Sequence, residues 1–317
     1  MSIKIIGTGS YVPEKIVTND DLKKLVDTSD EWIVQRVGVK QRHVSETETA
    51  GDMACRAAER ALESAGITAD KIDLIVAATF TSETFCPTVG GFVQQSIGAN
   101  CPAFDVNSAC SGFLFALDIA ASYIMRKAAK NVLVIGSERV SKIIDWTDRN
   151  TCVIFGDGAG AFVITEGDGY LSSKLYTNGG DDVIKVPSYN AESVFYKGES
   201  QTPHIFMKGQ ETFRFAVTRI ANDVKEVAEK AGISLSDIDF VIPHQANIRI
   251  IDFASKKLGI GKEKFFVNID KYGNTSSASV PMAFDELAES GKLKRGDIVA
   301  MCAFGGGLSS AACIIKY

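Results

Sequence analysis

The chain has 317 residues, 45% hydrophobic and 23% charged, which is enough apolar side chain for one large core or two fused halves and excludes global disorder. A formal charge of −5 at pH 7 gives no basis for a dedicated nucleic-acid binder. Seven cysteines without a C-x-x-C pair, and only three histidines (His43, His204 and His244), argue against a disulfide framework and against zinc. The first residues lack the long apolar stretch of a secretory leader, and no run of 18 apolar residues occurs. The expectation is a cytoplasmic protein with reduced thiols and no membrane contact.

In chain order, Gly7-Thr-Gly9 comes first. It lacks the third glycine of a dinucleotide fingerprint, and no Walker A lysine occurs anywhere. An amphipathic helical pattern over Ala54–Ser64 then leads into Ala65–Val76, whose apolar end suits a buried parallel strand. The same pattern returns at Ile220–Lys230 followed by Ala231–Ile242, an offset of 231 − 65 = 166. Asn131–Gly136 is answered at that offset by 297–302, and Phe155–Gly160 by Phe304–Ser309 at 149. Three matches in one order predict an α/β fold of two duplicated βαβ-type halves. The boundary is expected within 167–206, where periodicity fades.

Cys110 follows a predicted strand and a tight turn of small residues, and opens a very apolar helix running from about Ser111 to Met125. Free N–H groups and the helix dipole there predict a depressed thiol pKa and the most reactive of the seven thiols. Buried, inert cysteine is the ordinary alternative, and it is kept for Cys55, Cys302 and Cys313. His244, in Pro243-His-Gln-Ala-Asn247, ends the second repeat's strand, where α/β ligand sites gather. His43 and His204 read as surface residues. Asn274 lies among small residues ahead of a helix beginning near Pro281. Alone it would be a cap or turn, but it falls close to the repeat position of Cys110, so that two pseudo-equivalent loops would face one site. Phe304-Gly-Gly-Gly307 reads as a tight turn with a free N–H for an oxyanion.

Together, the segments around Cys110, His244, Asn274 and Phe304 resemble the β-ketoacyl-acyl-carrier-protein synthase III family, the initiating condensing enzymes of bacterial fatty-acid synthesis. The resemblance implies a thiolase-like fold, a layered αβαβα body, with the cysteine on half 1–170 and the histidine and asparagine on half 171–317. It implies an acyltransferase without cofactor or metal. An acyl-CoA primer, acetyl-CoA first, would acylate Cys110. Malonyl-acyl-carrier-protein would then lose CO2 against His244 and Asn274 and condense to β-ketoacyl-carrier-protein. Cys110 and Gly306 N–H groups would form the oxyanion hole. Trp32 and Arg149 would sandwich the adenine near Arg36, with Phe155, Asn247 and Phe304 along the substrate path. Phe85 would reach across a homodimer. Ser108, where alanine is common, and Asn150, where glycine is common, are departures.

The carrier protein would dock beside His244, at Gln245, Ala246, Asn247 and Ile248, and on the helical stretch 247–258. At ~100° per residue, Arg249 and Lys256 share a face of that stretch with Lys257 at its margin, and Ile251, Ala254 and Leu258 point the other way. Arg214 joins them by resemblance. By itself such a cluster is a solvated basic face. The alternatives are a relative with another primer in secondary metabolism, a Cys-His-Asn thioester hydrolase, and a degenerate acyl-binding protein.

Overall fold

The computed structural model describes residues 2–188, 194–195 and 202–317. One sheet contains β1 (Ser2–Tyr11), β2 (Leu74–Ala78), β3 (Ala103–Val106), β4 (Asn131–Glu138) and β5 (Gly158–Gly167), in spatial order β1-β5-β4-β2-β3. A second contains β6 (Tyr170–Thr177), β7 (Phe240–Pro243), β8 (Ile298–Gly305) and β9 (Ser309–Lys316), in order β7-β8-β9-β6. The repeated apolar runs became parallel neighbours, β2 beside β3 and β4, and β7 beside β8.

Side chains alternate along a strand, so Leu74, Val76 and Ala78 enter one buried cluster while Ile75 and Ala77 enter another. Strands apolar on both faces require cover on both. Helix α1 (Asp30–Arg36) lies at the periphery, and α2 (Ala50–Ala65) covers the outer face of the first sheet. Between the sheets run α3 (Gly112–Met125) and, further along the chain, α6 (Ser279–Glu289). The outer face of the second sheet carries α4 (Gly209–Ala231) and α5 (Ile248–Leu258). The result is the αβαβα body.

The duplication is geometric, with one slip. Gly66 and Gly232, 166 apart, both end a helix in the left-handed conformation that glycine adopts without steric cost. After β7 the offset becomes 167: α3 and α6 start at Gly112 and Ser279, β4 and β8 at Asn131 and Ile298. Strand β4 therefore matches 298 onward rather than 297. The position equivalent to Cys110 is 110 + 167 = 277, so Ser277, not Asn274, is its counterpart. The turns before α3 and α6 share a strained residue, Ala109 at φ 46° and Ser276 at φ 52°. Of the expected boundary segment 167–206, residues 189–193 and 196–201 lie outside the described residues.

Gly7 and Gly9 serve packing rather than phosphate. A Cβ on Gly7 would overlap the Ala61 carbonyl oxygen, and one on Gly9 would overlap the Ala61 nitrogen. Their absence of side chain lets α2 lie directly on β1. Gly9→Ala is expected to destabilise the protein by about 1–3 kcal/mol in urea unfolding. Gly179→Ala, with nothing within 4 Å of its Cβ, should leave the midpoint unchanged.

Candidate active site

A cavity of about 1920 Å³ opens between the halves. Cys110, His244 and Asn274 all line it, as do Phe155, Phe304 and Gly306. Cys110 stands in the tight turn Ala109–Ser111 before α3. Gly305, the last residue of β8, is pressed against that turn: a Cβ there would meet the Cys110 nitrogen at 2.7 Å. The Ser111 and Ser309 hydroxyls meet at 2.7 Å and tie the turn to the glycine loop. Ser108, the departure, holds its hydroxyl 3.3 Å from Ser111 Oγ.

His244 follows β7, and its backbone N–H donates to the Cys302 carbonyl at 2.7 Å. Nδ1 lies 2.6 Å from Ser279 Oγ, the first residue of α6. The Gln245 N–H donates to that same oxygen at 3.4 Å, an arrangement that lets the serine proton point at Nδ1 and the ring proton sit on Nε2. Phe304 packs edge-on against the ring, centroids 5.3 Å apart. Burial pulls His244 down to about 3, making it a neutral donor near neutral pH. Asn274 Oδ1 accepts the Ser276 N–H at 2.8 Å, which leaves Nδ2 to the cavity. Its backbone is clamped to the 154–156 segment, N–H to Ile154 carbonyl at 2.9 Å and carbonyl from Gly156 N–H at 3.1 Å.

The thiol corrects the sequence expectation. Burial pushes Cys110 up to about 12, the Ser276 hydroxyl at 3.3 Å partly opposes this, and the charge of buried Glu138 adds to it. Removing water from the thiolate outweighs whatever the helix start supplies. The resting pair is thus neutral thiol and neutral imidazole.

Other expected residues fare unevenly. The Arg149 guanidinium carbon is 5.1 Å from the Trp32 ring centroid, and Arg149 also donates to the Asp27 carbonyl at 2.9 Å. Two stacking contacts of ~3.5 Å require ~7 Å, so the pair must part by roughly 2 Å to admit a base. Asn150 lies next to it, bonded to Asp148. Arg36 is exposed, and its carbonyl accepts from Asn247 Nδ2 at 3.0 Å. Asn247 Oδ1 caps α5 by accepting the Arg249 N–H at 2.9 Å, so both ends of this side chain are engaged in structure. Gln245 is a correction: it is buried, donating to the Pro243 and Phe266 carbonyls and accepting from Asn268 N–H, because it braces the strand end, and it offers nothing to a docking protein. Ala246 and Ile248 are half-buried. Arg249, Lys256, Lys257 and Arg214 are exposed, and Ile251, Ala254 and Leu258 are buried, as the helical pattern expects. Phe85 is 90% exposed at the cavity rim. His204 is exposed, but His43 is half-buried, with Nδ1 2.5 Å from the Pro13 carbonyl. Sequence reading missed Ser276, Ser279 and Glu138. The repeat offset, corrected by one, points to the serine turn; nothing local marks Glu138. Among the described residues no cluster suited to a metal ion occurs, and no helix is long and apolar enough to cross a membrane.

The models of 3-oxoacyl-[acyl-carrier-protein] synthase III match residues 104–179, and those of its C-terminal region 228–317. The β-ketoacyl-[acyl-carrier-protein] synthase III of Clostridium acetobutylicum is 48% identical over 100% of this chain and 99% of its own. The crystal structure of the Aquifex aeolicus 3-oxoacyl-[acyl-carrier-protein] synthase III superposes with a TM-score of 0.94 at 46% identity, covering 99% of this chain and 100% of that one. The priming β-ketosynthase of the R1128 polyketide pathway superposes at 0.92 with 35% identity, covering 99% and 95%. A layered α/β body of this kind is a thiolase-fold acyltransferase. The chain belongs to the β-ketoacyl-acyl-carrier-protein synthase III family.

The raised pKa of the half-buried Cys110 thiol sets an alkylation order. Cys86 is exposed and should take iodoacetamide first near neutral pH, with Cys110 labelling climbing steadily into the alkaline range. Peptide mapping across pH checks this; full labelling of Cys110 ahead of Cys86 at pH 7 would contradict the raised pKa.

Proposed function

We propose that the chain condenses an acyl-CoA primer, acetyl-CoA first, with malonyl-acyl-carrier-protein through an acyl-enzyme on Cys110. The observation that carries this is the convergence of Cys110, His244 and Asn274 on one cavity in a chain of this family. Cys110 Sγ attacks the primer's thioester carbon, and coenzyme A leaves. The Cys110 and Gly306 N–H groups hold the tetrahedral oxyanion, each such donor being worth about 3–4 kcal/mol. Malonyl thioester then replaces coenzyme A. His244 Nε2–H and Asn274 Nδ2 donate to its carbonyl oxygen as CO2 leaves, and the enolate carbon attacks the Cys110 acyl carbon. Both donors stay uncharged, which suits a site that must stabilise an enolate without protonating it.

The nucleotide of the primer enters between Trp32 and Arg149 with Arg36 at the rim, and Phe155 and Phe304 wall the acyl end. Asn247 acts by capping α5 beside this path. Exposed Phe85 closes the primer pocket of a second copy in a homodimer. Halves 1–170 and 171–317 supply the cysteine and its two donors. The carrier protein docks on Arg249, Lys256, Lys257 and Arg214, with Ala246 and Ile248 at the edge. An acidic carrier is repelled by the chain's net −5 and needs such a local patch. A second reading, a bulkier starter as in polyketide priming, is favoured only by the R1128 relative. Competition among acyl-CoAs for Cys110, read by intact mass, separates the two.

Cys110→Ser should abolish acylation, because a serine hydroxyl holds its proton far more tightly than a thiol and is a much weaker nucleophile toward a thioester. His244→Ala and Asn274→Ala should keep appreciable acylation and lose 10²-fold or more of condensation, roughly one oxyanion-type donor each. Radiolabelled acyl-enzyme and ketoacyl product, measured separately, test this; equal loss of both steps in the Asn274 variant would refute the division of labour. Condensation should also weaken with salt. Charge reversal at Arg249 or Lys256 should raise KM for the malonyl carrier while leaving acylation nearly unchanged, and damage spread evenly over both half-reactions would return α5 to a merely solvated face.

A further inference from the structure

Glu138 ends β4 directly behind the cavity floor and is fully buried. Oε2 accepts from Thr81 Oγ1 at 2.5 Å, Thr79 Oγ1 at 3.2 Å and the Phe80 N–H at 3.3 Å. Oε1 accepts from Ser277 Oγ at 2.8 Å and Ser276 Oγ at 3.4 Å. All five donors are neutral, and the neighbouring Arg139 turns instead to Glu83 at 3.5 Å. A carboxylate cut off from water without a cation is costly. Burial pushes Glu138 up to about 7, with the hydroxyls and the Phe80 N–H pulling the other way.

Ser276 bridges this carboxyl and the thiol. Its Oγ lies 3.3 Å from Cys110 Sγ and 3.4 Å from Glu138 Oε1. A hydroxyl has one proton and two lone pairs; when it donates to Glu138, a lone pair is left for the Cys110 S–H. The strained φ of 52° and the Ser276 N–H bond to Asn274 hold it there. The acylation chemistry above leaves the thiol proton without an acceptor. If Nε2 carries the ring proton, as its proposed donation to the malonyl carbonyl requires, His244 has no free nitrogen for it, since Nδ1 faces Ser279.

Resting on the acyl-enzyme reading, we propose that Glu138, a positioning residue acting through Ser276, receives the Cys110 proton during acylation, stores it in the acyl-enzyme and returns it when condensation expels the thiolate. In acylation the S–H bond breaks as Sγ bonds the acyl carbon. Ser276 Oγ takes that proton and passes its own to Glu138 Oε1. The primer's C–S bond breaks, and the coenzyme A thiolate takes a proton from solvent. In condensation the enolate carbon bonds the acyl carbon, the Sγ–C bond breaks, and the thiolate recovers its proton from Ser276, which recovers its own from Glu138. The carboxylate finishes ionised, as it began.

This relay makes acylation alone consume one solvent proton, whereas direct transfer from Cys110 to the leaving coenzyme A consumes none. Other titratable groups around β4 are Cys110, pushed up to about 12, and His244, pulled down to about 3. Asp157 is held by Ser45 and Ser141, Asp52 caps α2, and Arg139 is paired with Glu83. The test is single-turnover acylation by acetyl-CoA in weakly buffered solution containing an indicator dye, followed by intact mass. At pH 8, read by stopped flow before buried Glu138 re-equilibrates with solvent, the unmodified enzyme should take up about one proton per acyl group as the acyl-enzyme forms, and its acylation rate should show an inflection near pH 7 as Glu138 ionises. Glu138→Gln should lose the uptake and the inflection and acylate about 10²-fold more slowly, with Glu138→Asp recovering part. Ser276→Ala, which leaves the carboxyl its four other donors, should lose the same signatures and serves if the Gln variant does not fold. Acyl-enzyme formed without proton uptake overturns the relay, as does a folded variant slowed equally at every pH with uptake intact. No acyl-enzyme at all on Cys110 overturns the acyl-enzyme reading itself.

Discussion

Everything at this site depends on how closely the two turns that precede α3 and α6 approach each other between the sheets. Ser277 Oγ, which donates to Glu138 Oε1 at 2.8 Å, also lies 3.0 Å from the Ala78 carbonyl oxygen, setting the second half's turn against the first half's strand. Gly136 makes room for it: a Cβ there would lie 2.6 Å from the Ser277 carbonyl oxygen. Gly305 performs the reciprocal service for Cys110. The two left-handed residues, Ala109 and Ser276, are the strain this approach requires, and the central helix layer holds them against it. A duplicated fold thereby brings a thiol from one half within reach of a hydroxyl from the other, a separation of 166 residues in sequence.

The electrostatics follow from that burial. A floor packed between the two halves removes charge from the groups that stand on it: thiol up, imidazole down, carboxyl up. Neutral donors are then well suited to meet a developing negative charge, because they need no ion to be desolvated beforehand. The same burial makes proton traffic the awkward part of the chemistry. In the proposed acylation a thiol this reluctant to ionise must be relieved of its proton as it attacks, and the hydroxyl shared between sulfur and carboxyl offers a path leading away from the cavity.

Layering, duplication, the turn that carries Cys110 and the strand end that carries His244 were legible in sequence because each rests on local pattern, whereas Asn274 was singled out through family resemblance and a repeat position that the structure gives to Ser277. Apolar runs with period two, helix stops at Gly66 and Gly232, and small-residue turns all declare themselves within a dozen residues. The basic face of α5 was legible too, since helical period alone separates Arg249 and Lys256 from Ile251 and Leu258. What failed was tertiary. The helix-start argument for a low thiol pKa considers one element, whereas the shift comes from everything packed around it. Gln245 sits in an expected docking stretch but is turned inward by a strand end that needs its amide. Ser279 became visible as the histidine's partner only once α6 lay beside β7, and Glu138 only once Thr81 and Ser277 converged on it from different halves.

Arg149, whose neighbours Asp148 and Asn150 line the cavity, and Trp32 bear on how the proposed substrate path meets the floor. At 5.1 Å the guanidinium covers the indole face; in the proposed reading a nucleotide exchanges that cation–π contact for base stacking, and its bulk then screens the path behind it from water. A floor that works with neutral groups benefits from that exclusion, since each donor aimed at an oxyanion is stronger in a drier site. The exposed Phe85 at the cavity rim bears on the same point: its apolar ring gains if another surface covers it, and such cover would narrow the access of water to the thiol and imidazole at the floor.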